Sequence, residues 1–140
     1  MTTVAGALAW IDRLEAATNA HDIDALVDCF AADYENVAPA HPERGFSGRE
    51  QVRKNWSTFF TDVPDISVHV LSKAVHRDTL WTEWEMSGTR RDGAPHSMRG
   101  VILFGIVDDQ ARWARFYVEP VEQHSGDADA FVRRLTEGGS

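Results

Sequence analysis

The sequence predicts an α+β domain in which helices come first and an antiparallel sheet follows. Apolar residues recur at helical spacing up to Pro64, and after it they recur with a period of two. Size agrees: 140 residues, 43% apolar and 26% charged, suit one packed domain, assigned to residues 1–123, followed by a polar, Gly-ended tail over 124–140. The tail is expected to be loosely held.

The first helix is expected over about residues 4–20, because Val4, Leu8, Ile11 and Leu14 form one apolar stripe. Asn19-Ala-His-Asp22 breaks it, and Asp22 can cap a second helix whose inward positions are Ile23, Leu26, Val27 and Phe30. The stretch Tyr34–Glu50 is too polar and too rich in Pro and Gly to be core. At its end, Ser47-Gly-Arg-Glu50 has the spacing of a capping box and opens a third helix with Val52, Trp56, Phe59 and Phe60 on one side. Beyond Pro64, Ile66, Val68 and Val70 alternate with less apolar neighbours, and so do the residues of 80–90. Arg91-Asp-Gly93 makes a hairpin turn to a strand over 96–107, and Asp108-Asp109 turns into a last strand over 111–119.

Charge and composition exclude several classes of function. A net charge of −8 repels phosphate backbones and anionic lipid, so no nucleic acid and no membrane partner is expected. The apolar run Val4–Ile11 ends at Asp12-Arg13, without the basic start of a signal peptide or the length of a span, which points to the cytoplasm. The single cysteine, Cys29, excludes an intrachain disulfide and lies in an apolar-periodic segment, as a buried thiol does. The six histidines are scattered, with no paired metal-ligand spacing, and Gly45-Phe-Ser-Gly48 lacks the Lys and Ser/Thr of a phosphate loop; neither metal nor cofactor is expected.

Strand alternation gives a candidate site. If Glu83 faces inward, Trp81, Glu85 and Ser87 do too. The analogous choice on the next strands selects His96, Met98, Gly100, Ile102 and Phe104, then Trp113, Arg115 and Tyr117. That face mixes apolar walls with a few ionisable groups, as small-molecule sites do. The other face, with Trp84, Met86, Arg99, Val101 and Leu103, would then be a homodimer surface. The opposite parity turns Glu83, Glu85 and Arg115 into surface ion pairs worth little. His41 in the loop and His96 near the turn are both able to titrate near neutral pH.

The order helix, helix, loop, helix, meander resembles the nuclear transport factor 2-like superfamily, and in particular its SnoaL-like (polyketide cyclase-like) branch. The resemblance is carried by Asn19-Ala-His-Asp-Ile-Asp-Ala-Leu26, Phe46-Ser-Gly-Arg-Glu50 and Trp113-Ala-Arg-Phe-Tyr117, and spans about residues 4–121. It implies a cone-shaped, cystatin-like curved antiparallel sheet wrapped around about three N-terminal helices, with a deep pocket at one end, commonly in a homodimer. The loop Tyr34–Glu50 would then run over the pocket mouth. Within the superfamily, ketosteroid isomerases need a carboxylate base and a Tyr where this sequence has Ala38 and Leu14, so the match to them is scaffold only.

Limonene-type epoxide hydrolases are similar in a Tyr-x-Asn pair, matched by Tyr34-Glu-Asn36. Their remaining charged residues fall on Glu83, Glu85 and Arg115, with the signs partly exchanged. SnoaL-type cyclases use an acid on the last strand, where Glu119 is the one available. These comparisons imply a cofactor-independent acid/base enzyme, a hydrolase, isomerase or cyclase, acting on a small apolar metabolite. Glu85, Glu83, Arg115, Tyr34 and Asn36 are its candidate catalytic residues. His41, Phe46, Trp56, Phe60, Trp81, His96, Met98, Trp113 and Tyr117 are its candidate substrate contacts. The alternative is a non-catalytic ligand-binding or dimerisation module of the same fold.

Overall fold

The computed structural model describes residues 2–137 and bears out the α+β architecture. Helix α1 (Val4–Asn19) starts at Thr3, whose side chain caps Gly6 N, and α2 (Ile23–Asp28) starts at Asp22, whose carboxylate accepts from Ala25 N at 3.1 Å. Between them His21 takes a left-handed φ of 55°, and its ring bonds Ile66 O at 2.8 Å. Strand β1 (Phe30–Val37), a 3-10 turn (Pro42–Arg44) and the two-residue β2 (Phe46–Ser47) lead to α3 (Arg49–Asp62). Strands β3 (Ser67–His76), β4 (Thr79–Thr89), β5 (Pro95–Val107) and β6 (Gln110–Pro120) form the expected meander.

Two local expectations are corrected. Phe30 begins a strand instead of closing α2, which ends at Asp28 with Cys29 as its C-cap. The capping box is not formed: Gly48, at φ 89°, occupies the N-cap of α3, while the Ser47 hydroxyl donates to Glu35 across β1 and β2. Gly48 is suited to that backbone because it has no Cβ. Its N–H donates to Tyr34 O at 2.6 Å, tying the start of α3 to β1.

The sheet has six strands in the order β2-β1-β6-β5-β4-β3. It is mixed, since β1 lies parallel to β6 while the other pairings are antiparallel. Asp108 and Asp109 both have positive φ in the tight turn between β5 and β6. Register shifts interrupt β3 between Val70 and Ser72 and the β5/β6 pair between Gly105 and Ile106, and such bulges bend a sheet.

The core lies between the sheet and the helices and centres on Trp10, Ile11, Leu26, Val68, Leu80 and Phe104. Cys29 is buried within it, and burial raises its thiol pKa, as expected of a structural cysteine. The polar tail carries a helix, α4 (Ala128–Thr136), capped by Asp127 and with Phe131, Val132 and Leu135 exposed. The last residues of the expected tail, 138–140, lie outside those described. No described helix is long and apolar enough to cross a membrane.

The β3 edge of the sheet is covered at Val68 and Val70 by side chains of α1 instead of by another strand. Asn19 bonds both backbone groups of Val68, donating to its carbonyl at 2.9 Å and accepting from its N–H at 2.7 Å. Glu15 accepts from Val70 N at 2.8 Å, and Asp12 pairs with Lys73. Free strand edges invite pairing with other chains, so these side chains both fix α1 on the sheet and blunt its edge. Replacing Asn19 with Ala is expected to cost about 1–3 kcal/mol, because Val68 loses two partners. Urea unfolding of the variant measures this, and a midpoint equal to that of the unmodified protein would contradict it.

Candidate functional site

The core does not fill the cone. Beyond Trp10 a cavity of about 300 Å³ opens, at the small end of ligand pockets. Leu14, Phe30 and Phe104 form its inner end; Trp84 and Met86 of β4, Met98 and Ile102 of β5, and Phe116 and Val118 of β6 form the sheet wall. Val52, Trp56 and Phe59 of α3 close the other side. Trp84 is held in the wall by its indole N–H, which donates to Thr82 Oγ1, itself bonded to Ile102 O.

Polar groups enter this surface at few points. Along β1, alternation turns Tyr34 and Asn36 inward, 1% and 8% exposed, and Ala38 just after the strand is buried as well. Asn36 Nδ2 donates to Tyr34 Oη at 2.9 Å. Burial raises the Tyr34 pKa well above the usual phenol value, against the smaller effect of that bond, so the hydroxyl stays protonated. Asn55 enters from α3.

At the open end His41 Nε2 lies 2.7 Å from Glu119 Oε1, with Arg44 Nη1 3.8 Å from the same oxygen. The three are half-exposed, and they bring the loop before α3 against the end of β6. With Glu119 ionised, Nε2 is the donor, which leaves Nδ1 of the neutral ring as a proton acceptor. Among the described residues no group of three or more His, Cys, Asp or Glu side chains is arranged to hold a metal.

Of the residues singled out in the sequence, Tyr34, Asn36, His41, Phe46, Trp56 and Met98 line the cavity. Phe60 instead stacks on His21 at 4.5 Å, inside the helical layer. His96 stands beside Phe59 but outside the cavity; burial, and then the charge of Arg90, lower its pKa.

Trp81, Glu83, Glu85, Trp113, Arg115 and Tyr117 are on the outer face of the sheet, which corrects the facing expected for β4 and β6. There Arg99 bonds Glu85 at 2.9 Å, and the Arg115 guanidinium sits 4.7 Å over the Trp113 ring. The cause is register. Met86 is paired with Met98 and Thr82 with Ile102, and paired residues share a face, so the inward set chosen on β5 forces Trp84 and Met86 inward. On β6, counting from the turn pairs Ile106 with Ala111 and would bring Arg115 opposite Ile102; the bulge moves that place to Phe116. A one-residue slip exchanges the two faces.

Lining residues that the sequence reading did not place there include Thr18, Arg44, Asn55, Trp84, Met86, Phe116 and Val118. Pairing β4 with β5 about the Arg91-Asp-Gly93 turn would have found Trp84 and Met86. Asn55 falls among Val52, Trp56 and Phe59 at helical spacing, and that was a signal for it. Nothing in the sequence marks the bulge that brings Phe116 and Val118 inward.

Comparison with known proteins agrees with this architecture. A putative isomerase from Bacillus subtilis is 16% identical, with 100% of this chain and 98% of that one covered at a TM-score of 0.73. A putative SnoaL-like polyketide cyclase from Jannaschia sp. CCS1 is 17% identical over 82% of this chain and 86% of that one, at 0.69. A hypothetical protein with a ketosteroid isomerase-like fold from Catenulispora acidiphila DSM 44928, in complex with trimethylamine, is 18% identical over 84% and 87%, at 0.67. At these identities the likeness is one of fold. No curated protein sequence matches the chain. The sequence profile of the SnoaL-like domain matches residues 11–116, most of the chain, and the protein therefore belongs to the SnoaL-like domain family.

Proposed function

We propose that the protein is a cofactor-independent acid/base enzyme acting on a small, largely apolar metabolite, with His41 and Glu119 as its proton-transfer pair. The observation that carries this is the 2.7 Å contact between them at the open end of an otherwise apolar, aromatic cavity. A carboxylate that orients an imidazole fixes the tautomer and stabilises the imidazolium formed when the ring takes a proton. Arg44 Nη1 lies 3.8 Å from the same carboxylate oxygen and adds a cationic side chain to the pair. Tyr34 and Asn36 supply a neutral polar contact deeper in, where a hydroxyl that stays protonated can donate to a substrate oxygen. Glu83, Glu85 and Arg115 have no part in this reading, since they face away from the cavity.

A screen of epoxides and polyketide-like lactones, read by mass spectrometry, tests it. For a compound that is turned over, His41→Gln and Glu119→Gln should each lower kcat by about 100-fold or more, with the circular dichroism spectrum unchanged. Glu85→Gln should leave the rate as it is. Unchanged rates in both mouth variants would refute the assignment. Saturable binding with no product across the screen would favour the non-catalytic binding module, a reading that the nearly uncharged interior also suits.

The partner expected for the chain, a second copy, suits the outer sheet face, where Trp81 and Tyr117 are 45% and 44% exposed beside Trp113 and Val101. Aromatic and Arg side chains at this density are typical of protein interfaces. Sedimentation at micromolar concentration should show a dimer that Trp81→Lys and Tyr117→Lys convert to monomer. A monomer for the unmodified protein would remove this face from the account.

A further inference from the structure

We infer that Asn55, oriented by Gln51, sets the ligand preference of the cavity by presenting N–H donors to an uncharged oxygen acceptor such as a ketone or ester carbonyl. This rests on the reading of the cavity as a small-molecule site. Gln51 and Asn55 are four residues apart on α3 and so lie on one face, and Gln51 Nε2 donates to Asn55 Oδ1 at 2.8 Å. That bond occupies the amide oxygen and directs which end of the Asn55 amide is left over. The remaining Nδ2 has no acceptor among the described residues, although Asn55 is half-buried and lines the cavity between Val52, Trp56 and Phe59.

Packing gives no reason for an amide there, since Leu at that position would extend the aromatic wall without the cost of desolvating a polar group. A half-buried amide that lines the cavity, with its oxygen engaged by Gln51 and its N–H donors left without a protein acceptor, is what an acceptor-bearing ligand requires. The ligand oxygen should be uncharged, because the ionisable lining groups His41, Arg44 and Glu119 are all at the open end and Tyr34 remains a neutral phenol. The Tyr34 hydroxyl accepts from Asn36 and keeps its own hydrogen free, so β1 offers a second donor in the same cavity.

Gln51 is a positioning residue in this scheme, and its chemistry provides a reversal. Glu at position 51 can only accept, so Gln51→Glu should draw Nδ2 of Asn55 toward itself and turn Oδ1 into the cavity.

The test compares 2-acetylnaphthalene with 2-isopropenylnaphthalene, which has the same shape with CH₂ in place of the carbonyl oxygen, by calorimetric titration. The unmodified protein should bind the ketone about five- to tenfold more tightly, the ratio that one neutral hydrogen bond supplies. In both Asn55→Leu and Gln51→Glu the ratio should fall to about one, while the hydrocarbon still binds. A purely structural role for either residue would weaken both compounds together and leave the ratio unchanged. An unchanged ratio in the two variants, or equal binding of the two compounds by the unmodified protein, overturns the inference and leaves the small-molecule site standing. If neither compound binds, the small-molecule reading fails and this inference with it.

Discussion

Trp10 determines where the molecule is solid and where it is hollow. Its indole is fully buried, meets Phe30 and Phe104 edge-on at 6.2 and 4.7 Å, and donates its N–H to Cys29 O at 2.9 Å, at the point where α2 gives way to β1. One side chain thus joins α1, β1 and β5 at the narrow end of the cone. Aromatic truncation in such a place costs about 3–5 kcal/mol, a large share of the stability of a domain of this size. On the far side of Trp10, Phe30 and Phe104 present their other surfaces to the cavity, together with Leu14. The hollow is therefore bounded by the core itself, which gives it walls that side-chain packing keeps in place.

That arrangement separates two kinds of polar chemistry. Outside the sheet, Glu83, Glu85, Arg99 and Arg115 are solvated or loosely paired, and exposed pairs of this kind contribute little. Inside, the lining is almost uncharged, Tyr34 being a neutral phenol, and His41, Arg44 and Glu119 are at the open end, where solvent still reaches them. On the proposed reading, a ligand leaves water for an aromatic surface with a few fixed donors while proton transfer takes place at the rim, so that specificity and chemistry lie at different depths of one cavity.

Much of this was legible in the sequence. The change of period at Pro64, the Asp22 cap and the Arg91-Asp-Gly93 and Asp108-Asp109 turns placed the helices and the four long strands, because each is a local signal with a local cause. Tyr34 and Asn36 were picked out by the likeness of Tyr34-Glu-Asn36 to the Tyr-x-Asn pair of limonene-type epoxide hydrolases, and His41 by its polar loop. The burial of Tyr34 in the core was not expected of a segment read as too polar for it. The facing of β4 and β6 was not. Alternation fixes a strand only relative to itself, and relating strands needs the register, which the bulge at Gly105 and Ile106 shifts by one residue. The capping box failed because Ser47 had a competing partner in Glu35, on a strand that the helical reading of Phe30 had shortened.

The central proposal is that ligands bind in the inner cavity and not on the outer polar face. Met86 and Met98 line that cavity, while Trp81 and Trp113 are on the outer face, so methionine methyl and indole N–H resonances report on the two surfaces separately. The most direct measurement is a nuclear magnetic resonance titration with indane, a compact bicyclic hydrocarbon. Binding in the cavity should give saturable shifts of the Met86 and Met98 methyl signals with the Trp81 and Trp113 indole signals unmoved. Static methyl signals, or shifts confined to the outer indoles, would contradict it.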